Sequence, residues 1–484
     1  MRYSVGYPRH SNDEKGFLSY LDTERPFLYC DHTLTIFPAT EEDADNSCDE
    51  AERIIFFEKE PPALPSSFTG STLDGRKAVF LVTENGLLEN GVLILEAVTA
   101  FFYHDHSIDE NNAEQKAIQG FLISFPELNS FYPPNTAYSI TWEESLDGLD
   151  YCVKTKPRSE LSCGMFEYNK MKINLGIHHE ITPVFNACHP LSIQTVLSAE
   201  CACSIDELSI HELLLALNKS FQFLFMRKNI IFPNISLFTL DEKGKRVSIG
   251  YVSLFQPKMI EEKNSPTKMR CIDFGVIGEN LSKIIKEYID QKRVFEEYPD
   301  CYDMHRTYGT ARNVGNFIAF DAYYQFYQHK LVRSKKYEEV KKEILTSVEQ
   351  MKQGAKGDRK KYVEQIHKQL SNIGVGMKEH YKKVFDAHTS IFDDVIRNTY
   401  SNVDVGKEKV AISERLNCIR NALIHGHTSY IFQPHDLLDM KLLQIMIYVI
   451  RLDNIGISDM QKIRAVARLF NLPFHHSVSP KNLV

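Results

Sequence analysis

The sequence predicts an α+β protein in two parts: a β-rich region over residues 1–270 and an all-helical bundle over residues 271–484. Three observations carry this. Short alternating apolar runs with Asp-Gly and Asn-Gly turns fill the first part. Apolar residues at helical spacing fill the second. Net charge changes sign between them. Residues 301–484 hold 28 Lys and Arg against 19 Asp and Glu, whereas residues 1–300 hold 28 against 45.

In chain order, Phe27–Tyr29 and Thr33–Phe37 lean towards strand, and the carboxylate-dense run 41–52 lacks the order of a calcium loop and reads as a solvated acidic loop. Arg53–Phe57 resumes a strand-like pattern. Asp74-Gly75 and Asn90-Gly91 mark hairpins around Ala78–Thr83 and Val92–Thr99. Ala117–Ser124, Tyr138–Glu143, Tyr151–Lys156 and Met171–Ile177 continue the β pattern. Ser204-Ile-Asp-Glu207 reads as a capping box opening a helix to about Arg227, with Leu213, Leu214, Leu217 and Phe221 on its apolar side. Two further strands, 230–240 and 247–255, precede a polar, unpatterned stretch from Glu261, and the boundary is placed near residue 270.

Helices are then expected over Glu279–Phe295, Arg312–Leu331, Lys335–Met351, Asp358–His380, Ser390–Tyr400, Val405–Gly426, Leu437–Leu452 and Lys462–Phe470. The Lys- and Glu-rich pair 335–351 and 358–380 should be solvated, and 437–452, apolar nearly all round, should be buried.

The composition excludes several classes. No run of 18 or more apolar residues exists, so no membrane span is expected, and the first residues carry no apolar signal core. Ten scattered cysteines do not make a disulfide framework, which predicts a cytoplasmic protein with reduced thiols. The first part has no phosphate-cradling glycine loop and no nucleophile elbow, and no nucleotidyltransferase motif is visible. Cys188, Cys201 and Cys203, near His178-His179 and His189, lack a convincing four-ligand zinc spacing and read better as structural thiols. No metal and no cofactor is expected.

The chemistry concentrates in Arg415-Leu-Asn-Cys-Ile-Arg-Asn-Ala-Leu-Ile-His425-Gly426. Ile412, Leu416, Ile419 and Leu423 define the buried stripe of a helix that Gly426 closes. Turning at about 100° per residue, Asn421 and His425 fall roughly opposite that stripe and Arg420 on its flank. Arg420 and His425 diverge by roughly 140°. Bringing both to one phosphate needs a distorted helix end or a second copy packed against this helix, and the latter predicts a dimer.

Arg420-Asn421-x3-His425 resembles the Arg-x4-6-His motif of the HEPN superfamily. Those proteins are all-α bundles, and many are metal-independent ribonucleases with the active site at a dimer interface. The placement of the motif after several helices and before an apolar one is similar to the ApeA-like subgroup of bacterial anti-phage, abortive-infection proteins, which carry a large N-terminal domain. The resemblance covers the last third of the chain well and the first 270 residues loosely. It implies an endoribonuclease, a hydrolase of antiviral defence, that cuts RNA, with tRNA the first candidate. Attack by the 2′-hydroxyl would leave a 2′,3′-cyclic phosphate. Arg420 would stabilise charge on the phosphorane, His425 would move the proton, and Asn421 would orient either. His427 and Tyr430 are candidates to stack on a base. Relatives often carry an acidic residue on an earlier helix, a place that Asp321 or Gln325 would fill. The N-terminal part is the candidate sensor or brake, with a phage protein as its trigger. The alternative is a non-catalytic HEPN dimer that binds RNA or a partner protein.

Overall fold

The computed structural model describes residues 13–20, 22–39, 65–89, 92–105, 117–145, 148–156, 159–183, 191–256, 270–290, 298–301, 304–305, 309–327, 335–372, 376–424 and 432–472. It divides into two units, and the division does not fall at one point of the sequence. The first takes 1–224, 229–261 and 273–292; the second takes 225–228, 262–272 and 293–484. The first is β-rich and the second helical, an α+β arrangement. Among the described residues no helix is long and apolar enough to cross a membrane.

In the first unit, β1 (Glu14–Tyr20), β2 (Thr23–Cys30), β3 (Thr33–Ile36), β4 (Ser67–Thr72), β5 (Lys77–Glu89) and β6 (Val92–Tyr103) pair antiparallel in the order β6-β3-β2-β1-β4-β5. A further β5–β6 pairing closes this row into a six-stranded barrel. Closure removes the open edges that would otherwise template aggregation. Side chains alternate along each strand, so one set fills the barrel: Leu18, Phe27, Tyr29, Leu34, Phe80, Leu95 and Phe102 are all buried. Phe27 meets Phe80 edge-on at 5.1 Å. Each such ring contributes roughly 1.5–3 kcal/mol on burial.

A barrel this narrow brings backbones together. A Cβ on Gly16 would lie 2.0 Å from the Ser71 carbonyl oxygen and 2.7 Å from the Thr72 Cα. Both neighbours are backbone and cannot step aside. Gly16→Ala should therefore destabilise the protein by roughly 1–3 kcal/mol or more in urea unfolding, whereas Gly75→Ala, at a turn with φ 82° and open space around it, should cost only its left-handed strain.

The sheet continues from β6 through β14 (Arg246–Leu254), β13 (Asn234–Leu240), β7 (Gly120–Ser124), β12 (Leu191–Cys201) and β11 (Met171–Pro183) to β10 (Leu161–Tyr168). The remaining strands β8 (Tyr138–Ser145) and β9 (Gly148–Thr155) form a separate hairpin. The expected Asp74-Gly75 turn sits between the paired strands β4 and β5, whereas Asn90-Gly91 lies outside the described residues, with Glu89 and Val92 paired on either side of it. Arg53–Phe57 and the acidic run 41–52 lie outside the described residues. Helix α1 (Glu207–Phe225) presents Leu213, Leu214, Leu217 and Phe221 inward. Its cap is Asp206 rather than Ser204, because the Asp206 carboxylate accepts from the Ser209 N–H at 2.8 Å while Ile205 still donates to the Ile118 carbonyl. Helix α2 (Leu281–Asp290) packs on β10 within this same unit.

The helical unit contains α3 (Thr310–Tyr327), α4 (Lys335–Gln353), α5 (Asp358–Asn372), α6 (Met377–Ala387), α7 (Thr389–Thr399), α8 (Val405–Ile424), α9 (Pro434–Asn454) and α10 (Asp459–Phe470). The expected single helix 358–380 is two helices. Gly376 stands at the N-cap of α6 with extended backbone, so His380 belongs to a new helix. Helix α9 is buried from Met440 to Leu452 on almost every side, as its composition predicts. Helices α4 and α5 pack on each other and leave Val340, Ile344, Met351, Tyr362 and Ile366 exposed.

Candidate functional site

Helix α8 is positioned by Ile412, Leu416 and Ile419, all fully buried. That stripe puts the Arg420 side chain on the flank, 23% exposed, and turns Asn421 outward. Helices α3 and α6 pack against α8 there. From α3, Asp321 accepts a hydrogen bond from Arg420 Nη2 at 3.0 Å. Gln325, one turn on, is exposed. Of the two candidates for an acidic partner, Asp321 meets the arginine.

Around this ion pair lie polar atoms that no described residue satisfies. Arg420 Nε, the second Asp321 oxygen Oδ1 and the Tyr381 hydroxyl are buried and have no hydrogen-bond partner among the described residues. Native interiors pair nearly all such atoms, so several in one cluster mark a place built for water, ligand or another chain. Burial raises the Asp321 pKa, and the Arg420 hydrogen bond and charge only partly oppose it. Burial also raises the Tyr381 hydroxyl, with the Asp321 charge adding to it.

Next to Tyr381, the His380 ring stacks on Tyr324 with centroids 4.0 Å apart and planes 19° from parallel. Burial, followed by the charges of Lys383 and Arg420, lowers its pKa to about 4, so this imidazole is neutral at physiological pH. Phe320 packs on Tyr381 at 4.7 Å. The result is a guanidinium and a carboxylate beside an aromatic shelf and a neutral imidazole. A planar fork of donors beside stacked rings can hold a phosphodiester and its base.

Of the sequence-predicted residues, the structure places Arg420 in this cluster and Asn421 on the exposed side of α8. His425, His427 and Tyr430 lie outside the described residues; α8 is described as far as Ile424. His380, Tyr381 and Tyr324 were not anticipated. The signal for them was the Gly374-Val-Gly376 break, which makes 377–387 a separate amphipathic helix.

The metal candidates resolve in simple terms. Cys188 and His189 are outside the described residues. Cys201 and Cys203 approach to 3.3 Å between sulfurs, but no described His, Asp or Glu joins them in a ligand cluster. The His179 ring lies between the Thr136 and Thr195 hydroxyls and stacks on Tyr132. Among the described residues only His388, Asp453 and Asp459 gather as three possible ligands. There the Lys462 ammonium, 2% exposed, already lies 2.5 Å from Asp453 and 2.8 Å from Asp459. That charge does what a cation would do.

Compared with known proteins, the chain matches no family model, no curated protein and no solved structure.

Proposed function

We propose that the helical part is a metal-independent endoribonuclease of the HEPN type, working as a dimer in anti-phage abortive infection, with tRNA as the first candidate substrate. The observation that carries this reading is the Arg420–Asp321 pair set among unsatisfied buried polar atoms. An arginine held by a carboxylate through one nitrogen keeps the rest of its fork for a phosphate. RNA brings its own nucleophile, so the protein has only to move protons and stabilise charge. In this reading Arg420 binds the phosphorane oxygens, His425 takes or gives the proton, and Asn421 orients the group beside it. Asp321 sets the direction of the guanidinium. The exposed apolar residues Val340, Ile344 and Met351 on α4 offer a surface that a second copy would cover. The acidic N-terminal half is the proposed sensor of a phage protein.

Purified full-length protein should cleave total tRNA in EDTA and leave 2′,3′-cyclic phosphate ends, and His425→Ala should abolish this. Cleavage that needs added metal, or that survives His425→Ala unchanged, would overturn the reading.

A second reading has its own support. An Arg420 committed to Asp321 is also what a purely structural ion pair would look like, and it fits a non-catalytic HEPN dimer that binds RNA or a partner protein. In that case tRNA binds and stays intact, and Arg420→Ala changes stability alone.

A further inference from the structure

A concavity lies wholly within the helical unit and shares no lining residue with the Arg420 cluster. It encloses about 280 Å³ between the first turns of α9 and the end of α10, with Met226 and Arg270 completing the wall. Its lining carries two cations, Arg270 and Lys441, together with the apolar side chains of Leu437, Leu438, Leu469 and Phe470. His305 forms part of the lining and is 7% exposed.

More positive charge stands behind that wall. Arg312 donates to the Met304 and His305 carbonyls at 3.1 and 3.3 Å, which fixes its guanidinium beside the histidine. Arg227, almost fully buried, and Arg468 both act on the neighbouring Cys271 thiol, drawing down a pKa that burial pushes up to about 11. His305 itself is lowered to about 3, first by burial and then by Arg312, Arg270 and Arg227, against a hydrogen bond to the Met226 backbone. Met226 adopts a left-handed φ of 52°, a conformation that bulky residues rarely take and that marks a constrained position. The charge is thus concentrated at a walled concavity, where low-dielectric surroundings strengthen its field.

We infer that this pocket binds a nucleoside monophosphate, its phosphate held by Arg270 and Lys441 and its base laid against Leu438, Leu469 and Phe470. The two cations of the lining suit a phosphate, since guanidinium and ammonium donors give short charge-assisted hydrogen bonds to its oxygens. The apolar part of the lining argues against inorganic phosphate, which would leave Leu438, Leu469 and Phe470 without a contact. The volume is at the small end of ligand pockets, which suits a mononucleotide better than a larger cofactor.

The test is equilibrium binding of AMP, GMP, CMP and UMP, one at a time, to the full-length protein, with inorganic phosphate as the comparison. At least one nucleotide should saturate with a Kd below about 1 mM and bind at least about tenfold more tightly than inorganic phosphate. Arg270→Gln/Lys441→Gln should weaken it about tenfold or more, and Arg420→Ala should leave it unchanged. Arg270 and Lys441 are both half-exposed, so the double variant should fold. Leu437→Glu, at a 41% exposed position in the lining, offers a second variant and should weaken binding by placing a carboxylate in the pocket. Absence of saturation by every nucleotide, equal binding of inorganic phosphate, or unchanged binding in both pocket variants would overturn the assignment.

Discussion

Arg420→Ala should reduce tRNA cleavage by about 10²–10³-fold or more, the usual cost of removing one charge-stabilising donor. It should also destabilise the fold, because Asp321, half-buried, loses the hydrogen bond from Arg420. A loss of about 1–3 kcal/mol is expected, below that of a fully buried pair because both side chains keep some exposure. The pH dependence has a definite sign. Burial already raises the Asp321 pKa, and without Arg420 it rises further. A carboxyl whose folded pKa exceeds its unfolded value is a net cost when ionised, and that cost disappears as pH falls through the folded value and then the unfolded one. The stability deficit of Arg420→Ala, measured by urea unfolding, should therefore be larger at pH 8 than at pH 4. Arg420→Ala/Asp321→Ala should recover most of the stability and none of the cleavage. Recovery of both would reduce the pair to a structural role.

The largest effect on stability is expected at Arg415→Met, five residues earlier on α8. Asp439 on α9 is fully buried and is held by Arg415 Nε at 2.6 Å and Nη2 at 3.0 Å, with the Tyr400 hydroxyl as a third donor. The same Nη2 also donates to Glu408 at 2.7 Å. Removing the arginine leaves an uncompensated carboxylate in the core, which costs about 3–5 kcal/mol. Arg415→Met/Asp439→Leu should regain much of that, since an apolar pair of similar volume carries no desolvation penalty. Folded Arg415→Met protein should still cleave RNA, because Arg415 is committed to Glu408 and Asp439. A fall in midpoint of less than about 1 kcal/mol equivalent would show that Asp439 finds other partners.

These two arginines show how far the sequence was legible. They stand five residues apart on one helix, and periodicity alone placed Ile412, Leu416 and Ile419 in its buried stripe, whereas Leu423 is only partly buried and Ala422 is buried instead. Pattern also located most strands from β2 to β14 and the buried helix α9, because period-two and period-3.6 alternation are local signals. It did not pick out β10 or β12. Barrel closure was not legible either: the β5–β6 and β1–β4 pairings depend on register between distant segments. Gly16 and Gly70 look unremarkable in the sequence, yet they are where two backbones touch. At the candidate site, the motif named Arg420 and left Asp321 as one of two candidates for its partner, since choosing between them needs the packing angle of α3. His380 was missed because an i,i+4 run of Lys and Glu hid the glycine break before it.

The way the chain is shared between the units has a consequence for how the protein is made. The β-rich unit has all its segments once residue 292 has left the ribosome, whereas most of the helical unit, including Arg420, is still to be translated. At ordinary elongation rates the first unit is complete on the order of ten seconds before the arginine appears. If the N-terminal half restrains a nuclease in the helical unit, as proposed above, the restraining part is made before the part it restrains. The same arrangement means that no single cut separates the helical unit from the β-rich one. Cutting away the first 270 residues would also take Phe225–Lys228 and most of 262–272 from the helical unit and leave 273–292 without the sheet it belongs to.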